Sequence, residues 1–65
     1  MKEYDGREIS KIWLGDDGET DAADDATDLI MRCSDSGECW VSVVNGGIEL
    51  RRHNCKYLSS ITWKE

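Results

Sequence analysis

Seven carboxylates, Asp16, Asp17, Glu19, Asp21, Asp24, Asp25 and Asp28, stand within thirteen residues that contain no base. Side chains of this kind hold hard cations, exchange protons, or attract a basic surface. Calcium binding asks for the order D-x-[DN]-x-[DN]-G with a closing glutamate, and Asp16-Asp17-Gly18-Glu19 does not supply it. General acid catalysis asks for a carboxyl in an apolar pocket, which carboxylates on a solvated face lack. The chain carries no glycine-rich phosphate loop, no serine or cysteine nucleophile signature and no zincin helix. Its one histidine, His53, stands among Arg51, Arg52 and Lys56. With 65 residues to enclose a substrate, the expectation is a protein that is not an enzyme.

A second constellation is Cys33, Cys39, His53 and Cys55, a Cys3His set spaced C-x5-C-x13-H-x-C. A structural zinc would help so small a fold, and a zinc-stabilised adaptor is one reading of these residues. Structural zinc ligands, however, come as C-x2-4-C pairs on tight knuckles, and His53-x-Cys55 is closer than that pattern. Three cysteines are an odd number, and Met1-Lys2-Glu3-Tyr4-Asp5 is too polar for a secretory signal. The expectation is therefore reduced, buried thiols, no metal or cofactor, and a soluble cytoplasmic protein.

The elements that must position these residues follow from periodicity. Thr20 or Asp21 serves as an N-cap, and Ala22, Ala26, Leu29, Ile30 and Cys33 fall on one face at helical spacing. Asp21, Asp25, Asp28 and Arg32 fall on the other side, and Ser34-Asp35-Ser36-Gly37 ends the segment. Downstream, Asn45-Gly46 is a two-residue hairpin signal that sets Val43 against Ile48, Val41 against Leu50 and Cys39 against Arg52. The opposite face then pairs Ser42 with Glu49, and Trp40 with Arg51 within reach of a cation–π contact. His53-Asn54 supplies a second turn into a strand of alternating Cys55, Tyr57, Ser59, Ile61 and Trp63. Residues 9–14 read as a strand ending at Gly15, or as a short helix on Ile9, Ile12 and Trp13; the β-branched and aromatic content favours the strand. The architecture expected is α+β, one amphipathic helix packed on a small antiparallel sheet in the order β-α-β-β-β, as a single domain over residues 1–65.

Charge then limits the partner. The net charge is −6, and the acids outside the run are offset by the eight bases, so the excess lies in the acidic stretch. Direct binding to nucleic acid or to an anionic membrane is disfavoured, and the apolar run Val41 to Val44 is too short to cross a bilayer. Carboxylates at i, i+4 and i+7 on a helix recur about every 4.5–6 Å, an anionic row similar to a phosphate backbone. Size, charge and this row resemble the small acidic phage-encoded inhibitors that imitate DNA, of the anti-CRISPR type. That resemblance implies a monomer or weak homodimer whose acidic residues 16–28 block the nucleic-acid site of a basic protein, such as a CRISPR effector subunit, in a host cytoplasm. Self-association, with the Arg51–Lys56 patch of one copy on the Asp21–Asp28 face of another, is the remaining alternative.

Overall fold

The structure, a computed structural model, describes residues 2–15 and 17–65. Among these residues the strands are β1 (Ile9–Leu14), β2 (Glu19–Asp21), β3 (Asp28–Cys33), β4 (Cys39–Asn45), β5 (Ile48–Asn54) and β6 (Leu58–Trp63). Short 3-10 turns occupy Lys2–Tyr4 and Cys55–Tyr57. The strands form two antiparallel sheets, in the orders β2-β1-β6 and β3-β4-β5. The chain ahead of β1 stitches the sheets together: Gly6 N–H donates to the Met31 carbonyl at 2.8 Å and Met31 N–H to the Arg7 carbonyl at 3.0 Å. A Tyr4–Trp63 stack, with centroids 4.9 Å apart, and the Arg7 guanidinium 4.7 Å from the Trp63 ring hold that segment against β6.

The expected α+β architecture is corrected by this topology: among the described residues there is no α-helix, and the fold is all-β. Leu29 and Cys33 satisfy both a helical and a strand template, so they do not discriminate. Met31 does, because the helical reading leaves it off the apolar face, whereas it is fully buried, on the same side of β3 as Leu29. Ahead of β3 the chain turns instead of coiling. Ala23 adopts φ 56°, in the left-handed region, and its N–H is received by Asp21 Oδ1 at 2.8 Å. An uncompensated row of i, i+4 carboxylates would have weakened a helix further.

Residues 9–14 do form a strand. Ile9 and Ile12 are both buried although three apart, because the β1–β6 register slips between Ile9 and Lys11. A bulge re-phases the side chains there, and Ser10 Oγ donates to the Thr62 carbonyl at 3.1 Å. That spacing of three is what made the segment readable as a helix.

The β4–β5 hairpin has a two-residue turn, shifted by one position from the expected one. Gly46 and Gly47 occupy it with φ 59° and 86°, a left-handed pair that glycine adopts without the Cβ penalty. Asn45 therefore faces Ile48, and a bulge beyond Val44 then sets Val43 against Arg51, Val41 against His53 and Trp40 against Asn54. Ile48 and Leu50, expected on the apolar face, are instead 68% and 46% exposed. The expected turn at His53-Asn54 into a neighbouring strand also fails. His53-Asn54 is the end of β5, and β6 crosses the Cys55–Tyr57 turn to pair with β1. Ile9, Ile12, Ala23, Leu29, Met31, Cys39, Val41 and Val43 form the core between the sheets. Each large member contributes about 1.5–3 kcal/mol by leaving water.

The cysteine expectation is corrected too. Cys33 and Cys39 are directly opposite across β3 and β4, with Cα atoms 4.1 Å apart, and their sulfurs are bonded as a disulfide. Only Cys55 is a free thiol among the described residues. A hairpin that sets two cysteines face to face needs no wider framework to join them.

Candidate functional site

β5 carries alternate side chains to two different settings. Arg51 and His53 lie on the side of Val43 and Val41, at the margin of the core. There they meet the acidic segment. Arg51 donates from Nε to Asp21 Oδ2 at 3.0 Å and from Nη2 to Asp21 Oδ1 at 3.1 Å. The same guanidinium grips Asp25, through Nη1 at 2.8 Å and Nη2 at 3.0 Å. His53 Nε2–H donates to Asp21 Oδ2 at 2.8 Å. Arg51 holds the Asp21 carboxyl at about 2, well below its usual value, while burial pulls the other way. The Asp25 carboxyl is lowered by the same arginine, whose own pKa is raised in return.

Arg52, one residue along, points to the opposite face of the sheet. Its guanidinium lies 4.7 Å from the Trp40 ring centroid and donates to Glu49 Oε2 from Nη2 at 2.8 Å. Glu49 Oε1 receives the Ser42 hydroxyl at 2.7 Å, and Ser42 Oγ receives Trp40 Nε1–H at 3.1 Å. This closed chain fixes the indole in one orientation over a buried hydroxyl. Arg52 first, and Ser42 second, keep the Glu49 carboxyl below its usual range.

The two settings meet in an open cleft of about 340 Å3 lined by Glu38, Trp40, Arg52, His53, Asn54 and Tyr57. Tyr57 projects into it from the 3-10 turn and is 66% exposed. That turn is capped by Asn54, whose Oδ1 receives Lys56 N–H at 3.1 Å. The β1–β2 turn adjoins it, since Gly15 N–H donates to the Tyr57 carbonyl at 3.3 Å. The cleft thus presents two aromatic surfaces, with its basic side chains already engaged by Glu49 and Asp21.

The acidic residues predicted to act together are dispersed. Asp16 lies outside the described residues. Asp17 and Glu19 are exposed on the β1–β2 hairpin, where Asp17 Oδ1 receives Glu19 N–H at 3.1 Å. Asp24 is exposed in the loop after β2, and Asp21 and Asp25 are clamped on Arg51. Asp28 opens β3 and receives the Thr27 hydroxyl at 3.1 Å. The four candidate zinc ligands are not gathered as a set: Cys33 is bonded to Cys39 and His53 is held by Asp21. Among the described residues no three His, Cys, Asp or Glu side chains cluster as metal ligands. The Arg51–aspartate pairing that self-association would place between copies is made within one chain. Among the described residues no helix is long and apolar enough to cross a membrane.

Sequence reasoning placed a cation–π contact on Trp40, which exists with Arg52 in place of Arg51, and set Ser42 opposite Glu49; the register sets Ser42 opposite Arg52 instead, although the Ser42 and Glu49 side chains are hydrogen-bonded. Tyr57 it left as one member of an alternating strand, although Asn54 followed by a two-residue step to an aromatic was a signal for a capped turn. No known protein family, characterised protein or solved structure matches the chain.

Proposed function

We propose that this chain is a non-enzymatic binding domain that receives an extended, basic segment of a partner protein in the cleft between Trp40 and Tyr57. One observation carries the reading. Two large aromatic surfaces, one of them locked by hydrogen bonds, converge beside the exposed carboxylate of Glu38 in a protein of net charge −6. An aromatic anchor in a pre-set orientation loses little entropy on binding, and uncompensated negative charge at the rim selects and steers a basic partner. The hairpin that carries the exposed Asp17 and Glu19 adjoins this cleft, since Gly15 is hydrogen-bonded to the backbone of Tyr57.

Imitation of nucleic acid, with inhibition of a CRISPR effector as its specific form, is the second reading. What favours it is that Asp17, Glu19 and Asp24 remain exposed. Its carrier is then a hairpin and a loop instead of a helical rod, with Asp21 and Asp25 withdrawn to Arg51.

Fluorescence anisotropy with labelled, unstructured peptides bearing arginine and lysine tests the first reading. Binding should weaken with added salt, and Tyr57→Ala, at an exposed position, should weaken it about tenfold, as loss of an aromatic anchor worth about 1.4 kcal/mol does. Indifference to Tyr57→Ala would refute the cleft. Loss of partner binding on reversing Asp17, Glu19 and Asp24 to Lys, with duplex DNA competing for the same partner, would establish mimicry in its place.

A further inference from the structure

The strand registers pair two of the cysteines and end one residue short of the third. Cys33 faces Cys39 across β3 and β4, and Trp40 faces Asn54 across β4 and β5. The second ladder ends at that pair, and Cys55, the next residue along, opens the 3-10 turn beside the start of β4. Two observations place both sulfurs on the core side. Cys39 is a core residue, and the Cys55 Sγ–H donates to Sδ of the fully buried Met31 at 3.6 Å. Cys39 and Cys55 also line one cleft of about 310 Å3, together with Gly37, Glu38, Asn54 and Lys56. A disulfide with a third thiol beside one of its sulfurs is the arrangement that thiol–disulfide exchange needs.

We infer that Cys55 is the resolving thiol of a three-cysteine set, able to take Cys39 from Cys33. Cys55 gives up its proton, and the thiolate attacks Sγ of Cys39. The Cys39–Cys55 bond forms as the Cys33–Cys39 bond breaks, and Cys33 leaves as a thiolate that takes up a proton. No net oxidation occurs and no co-reactant is needed. Burial pushes the Cys55 thiol up, so the exchange is slow near neutrality and accelerates as pH rises. The two pairings do different work. Cys33–Cys39 staples the β3–β4 hairpin, whereas Cys39–Cys55 would link the strand that carries Trp40 to the turn that carries Tyr57. The exchange stands whether or not the cleft between those aromatics receives a peptide.

The test uses the full chain with Cys33→Ser, treated with oxidised glutathione and mapped by mass spectrometry under non-reducing conditions. The expected product is an intrachain Cys39–Cys55 bond, read as loss of two hydrogens and a linked peptide pair. A variant that keeps both thiols, or carries only glutathione adducts or interchain bonds, overturns the inference. Should Cys33→Ser not fold, the unsubstituted protein decides. It is held at alkaline pH, quenched in acid and alkylated. Label on Cys33 as well as Cys55 supports the exchange, and label confined to Cys55 overturns it.

Discussion

Acid should loosen this fold through Asp21, the carboxylate of its cluster whose pKa is displaced furthest. The Asp21 side chain is 12% exposed and accepts from Arg51, from His53 and from the Ala23 N–H. Arg51 lowers its pKa from 3.8 to about 2. At about 1.4 kcal/mol per tenfold change in proton affinity, that displacement corresponds to roughly 2.5 kcal/mol. Arg51 is 38% exposed, so solvent screening reduces the expected contribution to about 1–2 kcal/mol. The sign follows from the depressed value: the contribution is complete above the unfolded 3.8 and is lost as pH falls toward 2 and below. Asp21→Asn removes the charge and the Oδ2 acceptor that serves Arg51 and His53, while asparagine keeps the Oδ1 that receives Ala23 N–H. Urea unfolding followed by tryptophan fluorescence should place the variant about 1–2 kcal/mol below the parent at pH 7, with a gap that narrows progressively once the pH passes below about 4. A domain of this length has only about 3–10 kcal/mol in total, so the difference is easily resolved. A gap that stays constant across that range would refute the reasoning, since it would show that Asp21 acts through shape alone.

Two further outcomes bear on the scaffold. Met31→Ala removes a fully buried side chain between the sheets and should cost about 2–5 kcal/mol, read as a fall in the urea midpoint at unchanged slope. Retention of the parent midpoint would mean that Met31 does not pack in the core between the sheets. Reduction of Cys33–Cys39 opens a loop closed over a separation of 6 residues and should lower stability by about 2 kcal/mol, measured by unfolding with and without dithiothreitol. An unchanged midpoint would mean that the hairpin already restricts the unfolded chain as strongly as the bond does.

How much of this was legible depended on whether a pattern had one physical reading or two. Strand character at residues 9–14 and on both sides of the Asn45-Gly46 signal was recognised because β-branched and aromatic side chains dominate there and a glycine turn separates the last two strands. The acidic segment was misread because Leu29 and Cys33 are four apart, which is one helical turn and also two pleats of a strand. Met31, midway between them, decides, and a methionine fills either environment. Ala23 could not be foreseen in a left-handed conformation, since alanine is the residue that most favours a helix. The disulfide was hidden for a related reason. Counting cysteines addresses a framework, whereas Cys33 and Cys39 need only the register of one hairpin, itself obscured by the helical reading.

The candidate site turned on a smaller displacement. Moving the turn from Asn45-Gly46 to Gly46-Gly47 and adding the bulge beyond Val44 shifts the far part of β5 by three positions relative to β4. An odd shift exchanges the two faces of a strand. Arg51 and His53, expected on the outer face and at a turn, are thereby set against Val43 and Val41 at the core margin, where unpartnered polar groups would be costly. Asp21 and Asp25 are the carboxylates that come to meet them, which is why the acidic stretch folds inward as a clamp. The same shift leaves Arg52, in place of Arg51, on the face of Trp40, where Glu49 and Ser42 complete the network that fixes the indole. The inward clamp and the locked aromatic are thus consequences of one register, and a substitution that restored the Asn45-Gly46 turn would dissolve both together.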